Sequence, residues 1–165
     1  MVNSLPRRKE AVMGMLRIVV ADQAEAVFYE AASLRAPPHE IGRISNPAGH
    51  LHERELGTDR PGRGHSRFGD ERYSMTDGSK ARREYAVRFA RRIARRLDRA
   101  RRSAEFTDLI VVAGPPFLGL MRESLSGPTR ARVVHEVRKD LVRSPVQALR
   151  SHLPTRRTEL SGGPP

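Results

Sequence analysis

The sequence KARREYAVRFARRIARRLDRARRS, residues 80–103, decides how the rest of the chain is organised. Apolar side chains recur in it every three or four residues, which places them along one face of a helix. These residues are Ala86, Phe89, Ile93, Leu97 and Ala100. The stretch therefore predicts one long helix whose apolar face packs against the remainder of the fold.

The same stretch carries most of the chain's positive charge. It holds ten arginines and one lysine against only Glu84 and Asp98, so it accounts for nine of the twelve net positive charges. On a helix, five of the arginines point away from the apolar face. These five, called the arginine face below, are Arg88, Arg91, Arg95, Arg99 and Arg102. The face is either an ordinary solvated helix surface or a binding surface for an anion such as phosphate.

Length and composition indicate one domain with a polyanionic partner. A chain of 165 residues is long enough to bury a hydrophobic core. An isoelectric point of about 11.4 favours RNA, DNA, a ribosome or an anionic membrane surface as the partner. The chain has no cysteine, which excludes disulfides and thiolate metal sites, and no apolar run reaches the length of a membrane span. We therefore expect a cytoplasmic protein without a cofactor.

Three strands are predicted before the basic helix. Residues 16–21, LRIVVA, form a short apolar and β-branched run that is typical of a buried central strand. Residues 26–31, AVFYEA, follow a turn and predict a strand paired back on the first. Residues 39–44, HEIGRI, alternate and predict a more peripheral third strand. Residues 1–14 ahead of them are expected to be a flexible leader.

Two strands and two helices are predicted after the basic helix. Residues 107–113, TDLIVVA, are as apolar as the first strand, and residues 130–137 alternate as a strand does. A helix is predicted at residues 117–125, and the last helix is predicted to run to Leu153, with Ser144 as its N-cap and Pro145 at its first position. The polar tail at residues 154–165 is expected to be disordered.

The predicted element order is β-β-β-α-β-α-β-α. Three antiparallel strands followed by right-handed α/β crossovers give a mixed sheet with helices on both faces. This arrangement is similar to the ribonuclease H-like fold, which the middle domain of archaeal and eukaryotic release factors shares. We therefore expect a single α/β domain over residues 15–153.

The segment at residues 45–79 shows no sustained period and is unusually long for a loop. Its glycines would let the backbone approach a ligand closely, and its arginines could bind phosphates through paired hydrogen bonds. We select Arg60, Arg63, His65 and Arg67 in it as candidate nucleic-acid-binding residues. The alternative is a basic linker with no defined structure by itself. The two interpretations are compatible if the loop is unstructured alone and becomes ordered when it binds RNA.

Metal binding and catalysis find little support in the sequence. His50, His52 and His65 have no fixed ligand spacing, so we expect solvated histidines rather than a metal site. Asp22 ends the first strand, where a two-metal nuclease would place a carboxylate, but residues 113–115 supply no second acid. We expect Asp22 to form a turn.

Two further motifs are predicted to be structural. The sequence from Gly114 to Gly119, GPPFLG, follows a central strand, but prolines lack the N–H donors that a phosphate needs. A helix start packed by Phe117 and Leu120 is therefore favoured there. The residues from Lys139 to Leu141, KDL, are expected to form a local ion pair and an anchor to the core.

Five segments resemble the bacterial host attachment protein family, also described as bacterial relatives of the archaeo-eukaryotic peptide chain release factors. They begin at Val19, Glu55, Phe89, Phe106 and Ala131, and read VVADQAEAVFYE, ELGTDRPGRGHSRFGDERY, FARRIARRLDRA, FTDLIVVAGPPFLGLMRESL and ARVVHEVRKDLVRSPVQAL. The resemblance covers residues 16–153. Its most specific strings are GTDRPGR at residues 57–63 and KDL with the following SP at residues 139–145.

The resemblance implies a release-factor-like binding mode without release-factor chemistry. Release factors carry Gly-Gly-Gln in the loop before the long basic helix, where it helps water to hydrolyse peptidyl-tRNA. This chain has a basic loop in the matching place but no Gly-Gly-Gln. We therefore predict a non-catalytic protein that binds RNA or the ribosome, with translation rescue as its process. The alternatives are a surface protein in host attachment, as the family name suggests, or an enzyme that hydrolyses peptidyl-tRNA or RNA.

Overall fold

The computed structural model of the chain describes residues 15–49 and 71–160, and the side chains of the long helix from Gly78 onwards. The strands are β1 (Leu16–Ala21), β2 (Glu25–Ala31), β3 (His39–Ser45), β4 (Asp108–Ala113) and β5 (Val133–Val137). The helices are α1 (Glu71–Arg102), α2 (Pro115–Ser124), α3 (Gly127–Arg130) and α4 (Val146–His152). A 3₁₀ helix follows at Arg157–Glu159.

The strands form one mixed sheet in the order β3-β2-β1-β4-β5. β1 is antiparallel to β2 and parallel to β4, so that Val19 lies between Phe28 and Val111. β3 is antiparallel to β2, and β5 is parallel to β4. Every residue of β1 is buried because this strand has neighbours on both sides and helices over both faces. The predicted α/β class with a mixed sheet is confirmed, and the third strand lies at an edge as expected.

One face of the sheet is covered by α1 and α2. The apolar stripe of α1 is buried as predicted, and Ile93 and Leu97 are fully excluded from solvent against Val19 and Val111. Phe117 of α2 reaches the ring of Phe89, with 6.2 Å between the ring centres. Each large apolar side chain buried in this way contributes about 1.5–3 kcal/mol of transfer free energy to folding.

The opposite face is covered by α4 and the segment that leads into it. Ile18 and Ile110 pack there against Leu149 and other apolar side chains of that layer. Arg150 of α4 donates hydrogen bonds to three carbonyl oxygens in the turn after β2. Its acceptors are the oxygens of Leu34 at 2.6 Å, Arg35 at 2.5 Å and Ala36 at 3.2 Å. Helices therefore lie on both faces, and this arginine holds the turn before β3 against α4.

The long helix begins nine residues earlier than predicted. The sequence assigned residues 71–79 to the loop, but α1 already starts at Glu71, and β3 includes Ser45. The reason is physical: Ala86 is the first buried residue among the described side chains of α1. Residues 78–85 therefore have no buried face, and such a stretch of helix shows no apolar periodicity that a sequence pattern could detect.

Two other boundaries also differ from the prediction. Residues 130–137 were predicted as one strand, but Ser126 caps a short helix, α3, and β5 begins only at Val133. The predicted N-cap role of Ser144 is wrong: Pro145 occupies the N-cap position of α4, and no side chain caps that helix. The helix therefore begins at Val146, one residue later than the predicted start at Pro145.

The chain continues in ordered form beyond α4. The sequence predicts a disordered tail over residues 154–165, whereas residues 154–160 contain the 3₁₀ helix. Glu159 accepts a hydrogen bond from the backbone N–H of Thr155 at 2.7 Å, and Arg157 lies 3.7 Å from the carboxylate of Asp108. Local hydrogen bonding and one contact to the start of β4 therefore order this part of the tail.

The end of α1 contains a residue in a left-handed backbone conformation. Ala104 has a φ of 53°, and its N–H bonds to the carbonyl of Arg101 while that of Glu105 bonds to the carbonyl of Ala100. Glycine usually occupies this position because a Cβ atom is strained there.

We expect Ala104→Gly to stabilise the protein by about 0.5–1 kcal/mol, since relief of the strain exceeds the entropy that glycine adds to the unfolded chain. Urea unfolding followed by circular dichroism measures the change. A neutral or destabilising result would show that the strain at Ala104 does not exceed the entropy that glycine adds to the unfolded chain. Ala94→Gly, inside the helix, is the matched control and is expected to be destabilising.

Candidate nucleic-acid interface

The arginine face lies on the outer side of α1 and is exposed to solvent. All five of its members are exposed, while the apolar stripe on the opposite side of the helix is buried in the sheet. The predicted division of the helix into an apolar inner face and a charged outer face is thus confirmed. Arginines of this face that have no carboxylate partner are available to bind an anion.

Two of the five arginines are paired with carboxylates on the same helix. Arg88 contacts Glu84, and Arg102 lies 2.8 Å from Asp98. The side chains of Arg91, Arg95 and Arg99 form no ion pair or hydrogen bond within residues 15–49 and 71–160. The helical rise places them at steps of about 6 Å along the axis. They form a row of three unneutralised guanidinium groups.

Two arginines on the flank of α1 hold the helix to β2 and β3. Arg96 stacks over the ring of Phe28, 4.4 Å from its centre. Its guanidinium also lies where a side chain of Gly42 would begin, at 2.7 Å. Arg92 donates to the backbone oxygen of Ser45 at 3.2 Å. Both side chains have partners in β2 or β3, so they are not counted with the arginine face.

Asp98 is the centre of a hydrogen-bond network at the end of α1. Its carboxylate accepts from the hydroxyls of Ser126 at 2.8 Å and Thr129 at 2.9 Å, and from Arg101 at 3.0 Å. These hydrogen bonds lower the pKa of Asp98 to about 2. Asp98 therefore stays ionised over the whole physiological range and ties α1 to α3.

We expect Asp98→Asn to lower the free energy of unfolding at pH 7, because the amide loses the charge that Arg101 and Arg102 contact. The ordinary carboxyl pKa is 3.8 and the folded value is lower, so the charge stabilises the fold above about pH 4 and loses this effect as the pH falls towards 2. The difference between wild type and variant should therefore shrink between pH 4 and pH 2.

Urea unfolding at pH 7, 4 and 2 measures the effect of this substitution. Glu84→Gln is the matched control, because Glu84 contacts a single exposed arginine and such pairs contribute little. A difference between wild type and Asp98→Asn that stays constant from pH 7 to pH 2 would contradict the role assigned to the ionised carboxylate.

Arg17 is a buried arginine in β1, and the apolar pattern of this strand did not predict a role for it. It is only 3% exposed, and its guanidinium lies 3.4 Å from Glu30, 3.2 Å from Glu105 and 5.5 Å from the ring centre of Phe106. Its Nε atom has no hydrogen-bond partner in the described structure. Arg17 links β1 to the turn after α1 and is too enclosed to reach a macromolecular ligand.

The other sequence candidates divide into structural residues and residues outside the description. Arg60, Arg63, His65 and Arg67 lie outside the described residues. Asp22 forms the predicted turn, since its carboxylate accepts from the N–H groups of Ala24 and Glu25, each at 2.7 Å. Pro115 and Pro116 open α2 as expected.

The KDL motif is only partly as predicted. Leu141 is buried against β1 and β4 and acts as the expected anchor. The expected ion pair between Lys139 and Asp140 is absent from the described contacts, because the Lys139 ammonium instead lies 2.8 Å from the imidazole of His152. Asp140 is thereby left exposed beside the end of β4.

Neither a metal cluster nor a membrane span is found in the described part of the chain. Residues 15–49 and 71–160 bring no three histidine or acidic side chains together in a way that would hold a metal ion. None of the helices in these ranges combines the length and apolar character needed to cross a bilayer.

Comparison with known proteins identifies one family. The sequence model of a family described as a protein required for attachment to host cells matches residues 17–153. The matched range begins at the second residue of β1 and ends one residue after α4, so it contains all of the sheet except Leu16, together with the helices on both faces. No curated protein matches the chain.

Proposed function

The chain belongs to the family described as required for attachment to host cells, and within it we propose that the protein binds RNA or ribosomes without catalysing a reaction. One observation carries this proposal. Arg91, Arg95 and Arg99 stand in an exposed row on a rigid helix, and none of them is neutralised by a described side chain. A row of uncompensated positive charge attracts a polyanion and releases its counterions on binding.

Phosphate is the anion that best fits this row. A guanidinium group offers a planar set of donors that binds a phosphate through two hydrogen bonds, and it stays charged at all physiological pH values. The row follows a helix held by a buried core, so little backbone entropy is lost on binding. The chain's net charge of +12 adds long-range attraction to a nucleic acid.

We further propose that the fold is ribonuclease H-like and related to the release-factor middle domain, with translation rescue in the cytoplasm as the setting. The sheet order β3-β2-β1-β4-β5 and the basic helix before β4 support this relationship. Arg60, Arg63, His65 and Arg67, which precede α1 in the sequence, are proposed to bind the same nucleic acid. The absence of Gly-Gly-Gln from the chain favours binding over peptidyl-tRNA hydrolysis.

Co-sedimentation of the purified protein with ribosomes, and its binding to labelled RNA, test the proposal across a salt series. We expect binding at low salt with an affinity that falls steeply as salt rises, because each phosphate contact adds about 0.7–0.9 to the slope of log K against log salt. Lack of binding to both ribosomes and RNA at low salt would refute the proposal. A charged-tRNA turnover assay on the same sample tests for enzymatic activity.

The second candidate function is a direct role in host attachment. The printed description of the family supports it. Labelling of intact cells with a membrane-impermeant reagent distinguishes the two functions. Labelling of this protein on intact cells would favour attachment, whereas labelling only after lysis would favour the RNA or ribosome proposal.

A further inference from the structure

A crevice of about 560 Å³ lies at the carboxyl-terminal edge of the sheet. Asp22 directly follows β1, and Gly114 directly follows β4. The chain leaves these two adjacent parallel strands in opposite directions, from β1 to β2 and from β4 towards β5. Open α/β sheets bind ligands at such a point, and the volume lies within the range of about 300–1,000 Å³ typical of small-molecule sites.

Two arginines from α1, Arg82 and Arg83, line this crevice. Arg82 lies four residues before Ala86 and seven before Phe89, on the same stripe of the helix as these buried residues. Arg82 and Arg83 are nevertheless exposed, because the helix extends beyond the edge of the sheet at this point. The two guanidinium groups therefore stand free on this wall of the crevice, where they can bind an anion.

Carboxylates line the same crevice without neutralising these arginines. Asp140 follows β5, and its Cβ atom lies 3.9 Å from where a side chain of Gly114 would begin. Asp22 already accepts two backbone hydrogen bonds, whereas Asp140 has none. Within the described ranges, neither arginine forms a salt bridge, so opposite charges remain separated across one cavity. A ligand that bears both an anionic group and hydrogen-bond donors would satisfy both sides.

The remaining wall of the crevice is apolar. Ala86, Phe117 and Leu120 contribute to it, and such a surface suits a flat heterocycle. We propose that the crevice binds a nucleotide, with its phosphate on Arg82 and Arg83 and the N–H donors of its base towards Asp140. A carboxylate accepts hydrogen bonds from base amino groups, and guanine presents two adjacent donor positions. This site is separate from the arginine face, which lies on the opposite side of α1.

Isothermal titration with GMP, UMP and inorganic phosphate at low salt tests the site directly. We expect GMP to bind more tightly than UMP and phosphate. R82Q/R83Q should weaken binding of both nucleotides by on the order of tenfold or more, because charge-assisted contacts to the phosphate are lost. D140N should weaken the binding of GMP by on the order of tenfold and leave the binding of UMP nearly unchanged. R35Q/R132Q removes the same charge at exposed positions of the opposite sheet edge and should have little effect.

Several outcomes would overturn the inference. Phosphate binding as tightly as GMP would show an anion site without base recognition, and tighter binding of L-phenylalanine would show a site for a zwitterion. Equal GMP affinity for wild type and R82Q/R83Q would place the ligand elsewhere. Should a variant not fold, NMR of the wild type replaces it. Addition of GMP should then shift the amide resonance of Gly114 and leave that of Arg132 unchanged, and an unshifted Gly114 would contradict the inference. The mononucleotide probe keeps this test independent of ribosome or RNA binding by the arginine face.

Discussion

R91E/R95E/R99E is expected to lower the affinity for RNA or ribosomes at low salt by on the order of a hundredfold to a thousandfold. Each guanidinium–phosphate contact contributes about 1–1.4 kcal/mol, so three lost contacts amount to two or three powers of ten. The slope of log K against log salt should decrease by about 2–3 because three phosphates are no longer neutralised. Fluorescence anisotropy with labelled RNA, at salt concentrations from about 50 to about 300 mM, measures both quantities.

The control for this variant must change the net charge by the same amount elsewhere. R35E/R132E/R138E does so at three exposed arginines whose side chains have no described partner. It should lower RNA affinity by less than about tenfold, since only the general field of the protein changes. Equal losses in the two triple variants would show that net charge, rather than the row on α1, determines binding. All three positions on α1 are exposed, so the fold should be retained.

Leu97→Ala is expected to destabilise the protein by about 2–5 kcal/mol. Leu97 is fully excluded from solvent between α1 and the sheet, so its truncation removes apolar contacts and leaves a cavity. A single domain of this size is typically stable by about 5–15 kcal/mol, so this one substitution removes a large share of its stability. Urea unfolding at 25 °C measures the loss.

Arg95→Ala, two residues before Leu97, is the matched control on the outer face. It should change the free energy of unfolding by no more than about 0.5 kcal/mol, as exposed substitutions without partners usually do. The two variants together test the division of α1 into a face for stability and a face for binding. A loss below about 1 kcal/mol for Leu97→Ala would contradict the tight packing described for this helix.

Elements with a buried face were predictable from the sequence. Residues 16–21 form a strand with the predicted bounds, and β4 differs by one residue, because unbroken apolar runs of that length are typical of central strands. The start of α1 was missed, since the described residues of this helix before Ala86 include no buried side chain that would set an apolar pattern. The role of Ser126 as the N-cap of α3 was missed, because Gly127 and Pro128 after it are also typical of the end of the preceding helix.

Site residues that depend on tertiary contacts were harder to predict. The exposure of the arginine face follows from helical periodicity alone. The neutralisation of Arg102 by Asp98 also follows from their spacing of four residues, whereas the hydroxyls of Ser126 and Thr129 could not be assigned to Asp98 before α3 was placed. Asp22 and Asp140 lie far apart in sequence, and only the strand order brings them to one crevice.

The row of Arg91, Arg95 and Arg99 also affects the helix itself. Like charges four residues apart repel, and each such pair disfavours an isolated helix by a few tenths of a kcal/mol. The buried stripe of α1 holds these groups together against that repulsion. Ionic strength screens it, so the melting temperature of the free protein should rise from low to moderate salt. A bound polyanion would relieve the same repulsion, and ligand engagement would then be detectable as a thermal shift.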